Sequence, residues 1–403
     1  PPPKLVRQTN GAGYDLIDAK AGPEAGTRQE EKKAKKRRSR ATRKKKDGEK
    51  KSVKKRKEHT GPWRDVKVAW RRLYACACVR ISRCLVKEDG DFKEAMRVLD
   101  MANMMCDDRS REMIEKEVRV VEVALRRTTE EEENNKKKRS STTHIETQSP
   151  PKKRIKTVSL SGETIPRVSA PSLLEFKSKI IKIGRPVIVT DAMKAWPALK
   201  RWKDMEYLKR VAGHRTVPVE YGKHYMDSNW NQKLIRFEDF LRDHIYAAPQ
   251  VEKAYLAQHR LFDQIPELAK DIMTPDYCVL VENENDDDVE INAWFGPEGT
   301  ISNLHHDPKH NLLAQVVGQK YIRLYEQKYT SRLYPHDGLM SNTSQVVDVE
   351  NARSSKEEKY PLFSDTPYYD CVLKPGEMLY IPPKVWHYVR SLETSFSVSF
   401  WWH

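Results

Sequence analysis

Cysteine is scarce. The six present (Cys76, Cys78, Cys84, Cys106, Cys278 and Cys371) are too few and too scattered for a disulfide framework, and none forms a Cys-x-x-Cys pair, which argues against a structural zinc module. Long apolar runs are absent as well. Nothing approaches the roughly 18 consecutive apolar residues of a membrane span, and the opening Pro1-Pro2-Pro3-Lys4 has no apolar core of a signal peptide. The expectation is a soluble intracellular protein without membrane contact. Only 38% of the 403 residues are hydrophobic and 33% are charged, so the chain holds one sizeable folded domain, a smaller one and a polar remainder.

The formal charge of +16 is not spread evenly. Arg28 to Lys57 contains 18 Lys/Arg against four acids, Glu30, Glu31, Asp47 and Glu49, and accounts for +14 of the total. A uniformly basic fold is thereby excluded, and the charge belongs to a tail. Residues 1–60, rich in charge, proline and glycine with no hydrophobic period, are expected to be disordered. Beyond Pro62 an apolar period of three and four appears in Val66, Trp70, Leu73, Ala77, Ile81 and Cys84. It continues through Phe92, Ala95, Leu99, Ala102 and Cys106, then Ile114, Val118, Val121 and Leu125. These predict three amphipathic helices in a small all-α domain over 61–127, the first two separated at Asp89-Gly90. Cys76 and Cys78 read as small packing residues within it.

Residues 128–164 read as a second disordered linker. Its basic cluster Pro150-Pro151-Lys152-Lys153-Arg154-Ile155-Lys156 resembles a nuclear import signal, so the expected location is the nucleus, with the cytoplasm as a second. From 165 to 403 the composition is that of a folded domain, with seven of the nine tryptophans and a charge of about −2 over Pro166 to His403. Leu173 to Ile183 and Asp204 to Val211 predict helices. Short strands follow at Pro186 to Thr190, Leu312 to Val317, Tyr321 to Tyr325, Gly376 to Ile381 and Phe396 to Phe400, with a turn at Gly318-Gln319. This spacing predicts a mainly β jelly-roll, a cupin-like double-stranded β-helix with flanking helices.

Leu304-His305-His306-Asp307 is the sharpest local signal. In a strand, residues i and i+2 share a face, so His305 and Asp307 point one way and His306 the other. An imidazole and a carboxylate there supply two ligands of a two-histidine-one-carboxylate metal site, whose open positions suit a chelating oxo-acid and dioxygen. A distant histidine must complete it. His387, ending Pro382-Pro383-Lys384-Val385-Trp386-His387, is one candidate, in competition with His306, His310 and His336.

Around these residues run Asn292-Ala-Trp-Phe-Gly-Pro-Glu-Gly-Thr-Ile-Ser302, Gln315-Val-Val-Gly-Gln-Lys-Tyr-Ile-Arg-Leu-Tyr325, Leu333-Tyr-Pro-His-Asp337, Asn342-Thr-Ser-Gln345 and Ser395-Phe-Ser-Val-Ser-Phe-Trp-Trp402. This text resembles the Jumonji-C oxygenases, and within them the lysine-specific demethylase 8 or arginyl hydroxylase subgroup, over Val168 to Trp402. Pro62-Trp-Arg-Asp-Val66 and Trp70-Arg-Arg-Leu-Tyr74 resemble that subgroup's helical N-terminal domain. The basic tail is not part of the pattern.

The resemblance implies iron(II) at His305, Asp307 and His387, with 2-oxoglutarate as cosubstrate and dioxygen as oxidant. The far carboxylate of 2-oxoglutarate is a buried anion and requires a cation and donors. Lys320 matches the cation, Tyr255, Ser302 and Asn311 match hydrogen-bonding positions, and Trp401 lies nearby. Glu220, Tyr225 and Trp294 match substrate-pocket positions, where a carboxylate can take a guanidinium fork and an aromatic face can stack on it. The acidic run Glu282 to Glu290 reads as a solvated loop able to attract a basic peptide.

The leading expectation is hydroxylation of arginine side chains in a basic protein or peptide substrate, of ribosomal or histone type. The alternative is histone N-methyl-lysine demethylation by the same oxidative step. A third reading, from another class, is a non-catalytic chromatin adaptor whose basic tail makes weak nucleic-acid contact.

Overall fold

The computed structural model describes residues 66–139, 158–222, 230–246, 253–280, 289–351 and 359–403. The basic tail, the cluster at 150–156, Tyr225 and most of the acidic run lie outside the described residues. Residues Arg71–His403 form one compact unit.

Three helices lead in: α1 (Val68–Cys84), α2 (Phe92–Met105) and α3 (Asp108–Arg139). Gly90, at φ 63°, supplies the left-handed turn between the first two, and the Asp91 carboxylate caps α2 by accepting from the Glu94 N–H at 2.9 Å. Ala95, Leu99, Ala102, Ile114, Val118, Val121 and Leu125 are buried as their spacing predicts.

The face assigned to α1 is the wrong one. Its buried residues are Ala75, Cys78, Val79 and Ser82, whereas Trp70, Leu73, Ala77, Ile81 and Cys84 are exposed, Leu73 at 57% and Ile81 at 49%. A pattern weighted by large side chains passes over a buried face made of Ala, Cys, Val and Ser. Cys78 is buried as expected, but Cys76 is not.

The domain boundaries also move. Helix α3 continues to Arg139 rather than ending near 127, through a Glu/Lys/Arg-rich stretch of good intrinsic helix formers. At the far side of the expected linker, Glu163–Thr164 is already a strand, paired in parallel with Tyr369 and Asp370.

The barrel is made of two sheets. The smaller has the order β1 (Glu163–Thr164), β11 (Tyr369–Leu373), β10 (Lys320–Tyr325), β13 (Trp386–Ser391), β8 (Ile301–His306). The larger begins β2 (Arg167–Ser169), β3 (Val187–Thr190), β12 (Met378–Ile381), β9 (His310–Val317), β14 (Ser395–Trp402). It ends β7 (Glu290–Gly296), β6 (Ala254–His259), β4 (Thr216–Tyr221), β5 (Asn231–Arg236). Adjacent strands of the catalytic region pair antiparallel, and the two sheets face each other as a double-stranded β-helix.

Alternation sorts the long strand β14. Phe396, Val398, Phe400 and Trp402 face outward under a helical layer that includes Met205–Ala212, where Trp202 stacks on Phe396 at 4.3 Å and Phe396 on Phe295 at 4.6 Å. Each buried aromatic there contributes on the order of 2–3 kcal/mol of burial. Ser395, Ser397, Ser399 and Trp401 face the barrel interior, opposite the smaller sheet. A small, polar inner wall leaves room between the sheets, and the cavity lies there.

Candidate active site

His305 on β8 and His387 on β13 are cross-strand partners, with ring centroids 4.2 Å apart. Asp307 follows the end of β8 and is pinned by its own carbonyl, which accepts from the Lys384 N–H at 2.7 Å. Lys384 holds a left-handed φ of 62°, which turns the chain into β13. Asp307 Oδ2 comes within 3.6 Å of His387 Nε2, and ligand atoms of all three residues lie within 4.8 Å of one another.

Both imidazoles are oriented by the backbone. His305 Nδ1 donates to the Asn303 carbonyl at 2.6 Å and His387 Nδ1 to the Val385 carbonyl at 3.1 Å, leaving each Nε2 for a metal. Burial and the neighbouring His305 push His387 down to about 4, which keeps it a neutral ligand. Asp307 Oδ2 is buried with no hydrogen-bond partner among the described residues. Two imidazole nitrogens and one carboxylate oxygen fit a divalent transition metal with open positions.

The competing histidines fall away. His306 points to the other side, edge-on to Trp386 at 4.7 Å. His310 stacks on Trp402 and bonds Tyr380 through Nδ1 at 2.8 Å, on the outer face. His336 sits in a loop whose N–H bonds the Thr343 carbonyl, and it is not part of the cluster.

The triad lines a narrow cavity between the two sheets. Tyr255, Ser302, Asn311, Lys320 and Trp401 all line it together with His305, Asp307 and His387, so the structure brings together every residue expected around the cosubstrate. Lys320 is 1% exposed and donates to the Tyr255 hydroxyl at 3.1 Å; burial pushes it down to about 7. Asn311 Oδ1 and Trp401 Nε1 are buried without hydrogen-bond partners among the described residues. A lysine that burial discharges, beside an unsatisfied indole N–H, is a site made for an anionic ligand.

Of the three expected substrate residues, Trp294 lines the cavity, 6.2 Å from the Tyr255 ring, with its indole N–H donated to Ser399 Oγ at 2.8 Å. Glu220 does not line it directly. It stands opposite Tyr255 in the pairing of β4 with β6, and cross-strand partners share a face. Burial pushes its carboxyl up to about 7 against a smaller opposing pull from Trp230. Tyr225 lies outside the described residues. Ser399, Leu313, Ile381 and Val389 complete the wall and were not anticipated; the alternation of Ser395, Ser397 and Ser399 was the available signal for the first.

Residues 173–403 match the family model described as a cupin-like domain, and residues 33–137 match one described as KDM8-like, N-terminal ARM repeats. Lysine-specific demethylase 8 of Danio rerio is 43% identical over 358 residues, covering 86% of this chain and 84% of the relative. Lysine-specific demethylase JMJ30 of Arabidopsis thaliana is 41% identical, covering 85% and 82%. Jumonji C domain-containing protein 5 of Drosophila melanogaster is 46% identical over 59% of each chain. A His-Asp-His triad that could hold a metal inside a cupin barrel, a buried lysine at its base and these likenesses over most of the sequence place the chain in the Jumonji-C family of 2-oxoglutarate-dependent dioxygenases, among its KDM8-like members.

Proposed function

We propose that the protein oxidises a C–H bond on a cationic side chain of a protein substrate, with iron(II) held by His305, Asp307 and His387. Iron there, with 2-oxoglutarate and dioxygen, supplies the oxidising power to place one oxygen atom on carbon while the other enters succinate and carbon dioxide leaves. The chain's own residues bind, orient and shield. Lys320, Tyr255 and Ser302 receive the far carboxylate of the cosubstrate, and Asn311 and Trp401 offer further polar contacts. The apolar side chains Leu313, Ile381 and Val389 narrow the cavity and limit water.

The observation that carries the substrate class is Glu220, a half-buried carboxyl on the cavity side of β4, opposite Tyr255, whose partial desolvation raises it to about 7. A cationic side chain would restore its charge, and Trp294, 6.2 Å from the Tyr255 ring, offers an aromatic face on the cavity wall. Two outcomes share this chemistry. Removal of a lysine N-methyl group, released as formaldehyde after hydroxylation of the methyl carbon, is the one favoured by the names of the Danio and Arabidopsis relatives. Arginine hydroxylation is a second reading, favoured by the match of a carboxylate and an aromatic face to a guanidinium.

Incubation with iron(II), 2-oxoglutarate and a library of arginine- and methyl-lysine-containing peptides separates them. Methyl loss with formaldehyde supports the first, and a gain of one oxygen on arginine the second. Absence of both, with peptide bound, overturns the proposal.

A further inference from the structure

The lead-in helices grip the strand that carries Glu220. Arg215, immediately before β4, is 0% exposed and ends between two helical carboxylates. Asp100 Oδ1 of α2 accepts from Arg215 Nη2 at 2.7 Å and Nε at 3.0 Å, and Glu122 Oε1 of α3 accepts from Nη1 at 2.9 Å. Asp100 Oδ2 also accepts the backbone N–H of Thr216, the first residue of β4, at 2.7 Å. From the barrel side, Gln264 Nε2 donates to the Thr216 carbonyl at 2.8 Å, and Gln264 Oε1 pairs with His259 Nε2 at 2.7 Å. Both backbone groups of Thr216 are therefore held by side chains from different elements.

Buried ion pairs are a poor way to gain stability, because desolvation offsets most of the attraction; their best-attested use is to fix register. Register is what β4 needs. Val217, Val219 and Tyr221 enter the apolar core while Glu220 takes the cavity side, and a slip of one residue would exchange the two sets.

We infer that Asp100 and Arg215 are positioning residues for substrate binding: the helical segment sets the register of β4 and thereby places the Glu220 carboxylate. This rests on the reading of Glu220 as the group that receives the cationic side chain.

The test is steady-state kinetics on the full chain, loaded with iron(II), using as probe the library peptide that the wild type turns over best. Asp100→Asn keeps size but turns an N–H donor toward one of the donors that Asp100 now satisfies. The expected result is a peptide KM raised about tenfold or more, with the KM for 2-oxoglutarate and the peptide-free turnover of 2-oxoglutarate unchanged. Glu122→Gln, which retains an acceptor for Nη1, should stay near the wild-type peptide KM. Should Asp100→Asn fail to fold, Arg215→Lys, which gives up the two-point hold on Asp100, must show the same selective rise. A loss confined to active fraction, lowering coupled and peptide-free turnover by one factor with both KM values fixed, overturns the inference alone. Failure of the wild type to oxidise any cationic peptide overturns the underlying reading instead.

Discussion

The cation at the base of the cavity makes a pH prediction of defined sign. Burial alone pushes Lys320 down to about 7 from an ordinary 10.5. A dicarboxylate oxo-acid seated with its far carboxylate at Nζ favours the charged form, so lysine is protonated in the complex while it titrates near 7 in the free protein. Below pH 7 the free lysine is already charged and affinity is flat. Above pH 7 each binding event must take up a proton, and affinity falls by about tenfold per pH unit. Between pH 6 and pH 8 the Kd of 2-oxoglutarate should therefore rise about tenfold, with uptake of about 0.9 proton at pH 8. Calorimetric titration of the manganese(II)-loaded protein, in two buffers of different ionisation enthalpy, measures both quantities. Protonation of the histidine ligands weakens binding at low pH and has the opposite sense, so it cannot imitate the effect. Lys320→Met should bind weakly with no such slope. A wild-type affinity that is flat or improves from pH 7 to 8, with no proton uptake, would refute the reasoning.

The other predictions are as follows. Because Glu220 is raised to about 7 and a cationic side chain needs its ionised form, peptide affinity should improve as pH rises from 6 to 8, opposite in sign to 2-oxoglutarate. Glu220→Gln should flatten that profile and lower peptide kcat/KM at pH 8 by roughly 10- to 150-fold, the worth of a charge-assisted hydrogen bond; a retained pH slope would exclude Glu220 as its source. His305→Ala or Asp307→Ala should abolish turnover with circular dichroism unchanged, while His306→Ala, on the opposite face, stays active. Full activity in either ligand variant contradicts the metal assignment. Gly318 has φ 70°, and a Cβ there would run into the Thr394 carbonyl oxygen. Gly318→Ala should cost about 1–3 kcal/mol, seen as a lower Tm, and should raise the KM for 2-oxoglutarate by displacing Lys320 two residues on.

The barrel and the clustering of His305 with Asp307 are legible in the sequence because they obey short-range rules. His305 and Asp307 share a face by the period of a strand, and Lys320 follows a glycine turn. The choice of His387 over His310 or His336 was not local: it depends on β13 lying beside β8, which the resemblance implied and the fold shows. Helix α1 misled because its buried face, Ala75, Cys78, Val79 and Ser82, carries less apolar bulk than the exposed Trp70, Leu73 and Ile81. The clamp on β4 was invisible for a different reason. Asp100 and Arg215 are 115 residues apart, and each reads alone as an ordinary surface charge. Nothing short of the packed structure brings a buried arginine to that carboxylate.

The most direct test is turnover under isotopically labelled dioxygen, with iron(II), 2-oxoglutarate and the preferred cationic peptide. One labelled oxygen should appear in the succinate of each cycle. A second should appear on a hydroxylated peptide or, where a methyl group is lost, in formaldehyde trapped before its hydrate exchanges with water, and both should vanish in Asp307→Ala. Product oxygen drawn wholly from water, or peptide oxidation that persists without Asp307, would contradict an oxygenase built on His305, Asp307 and His387.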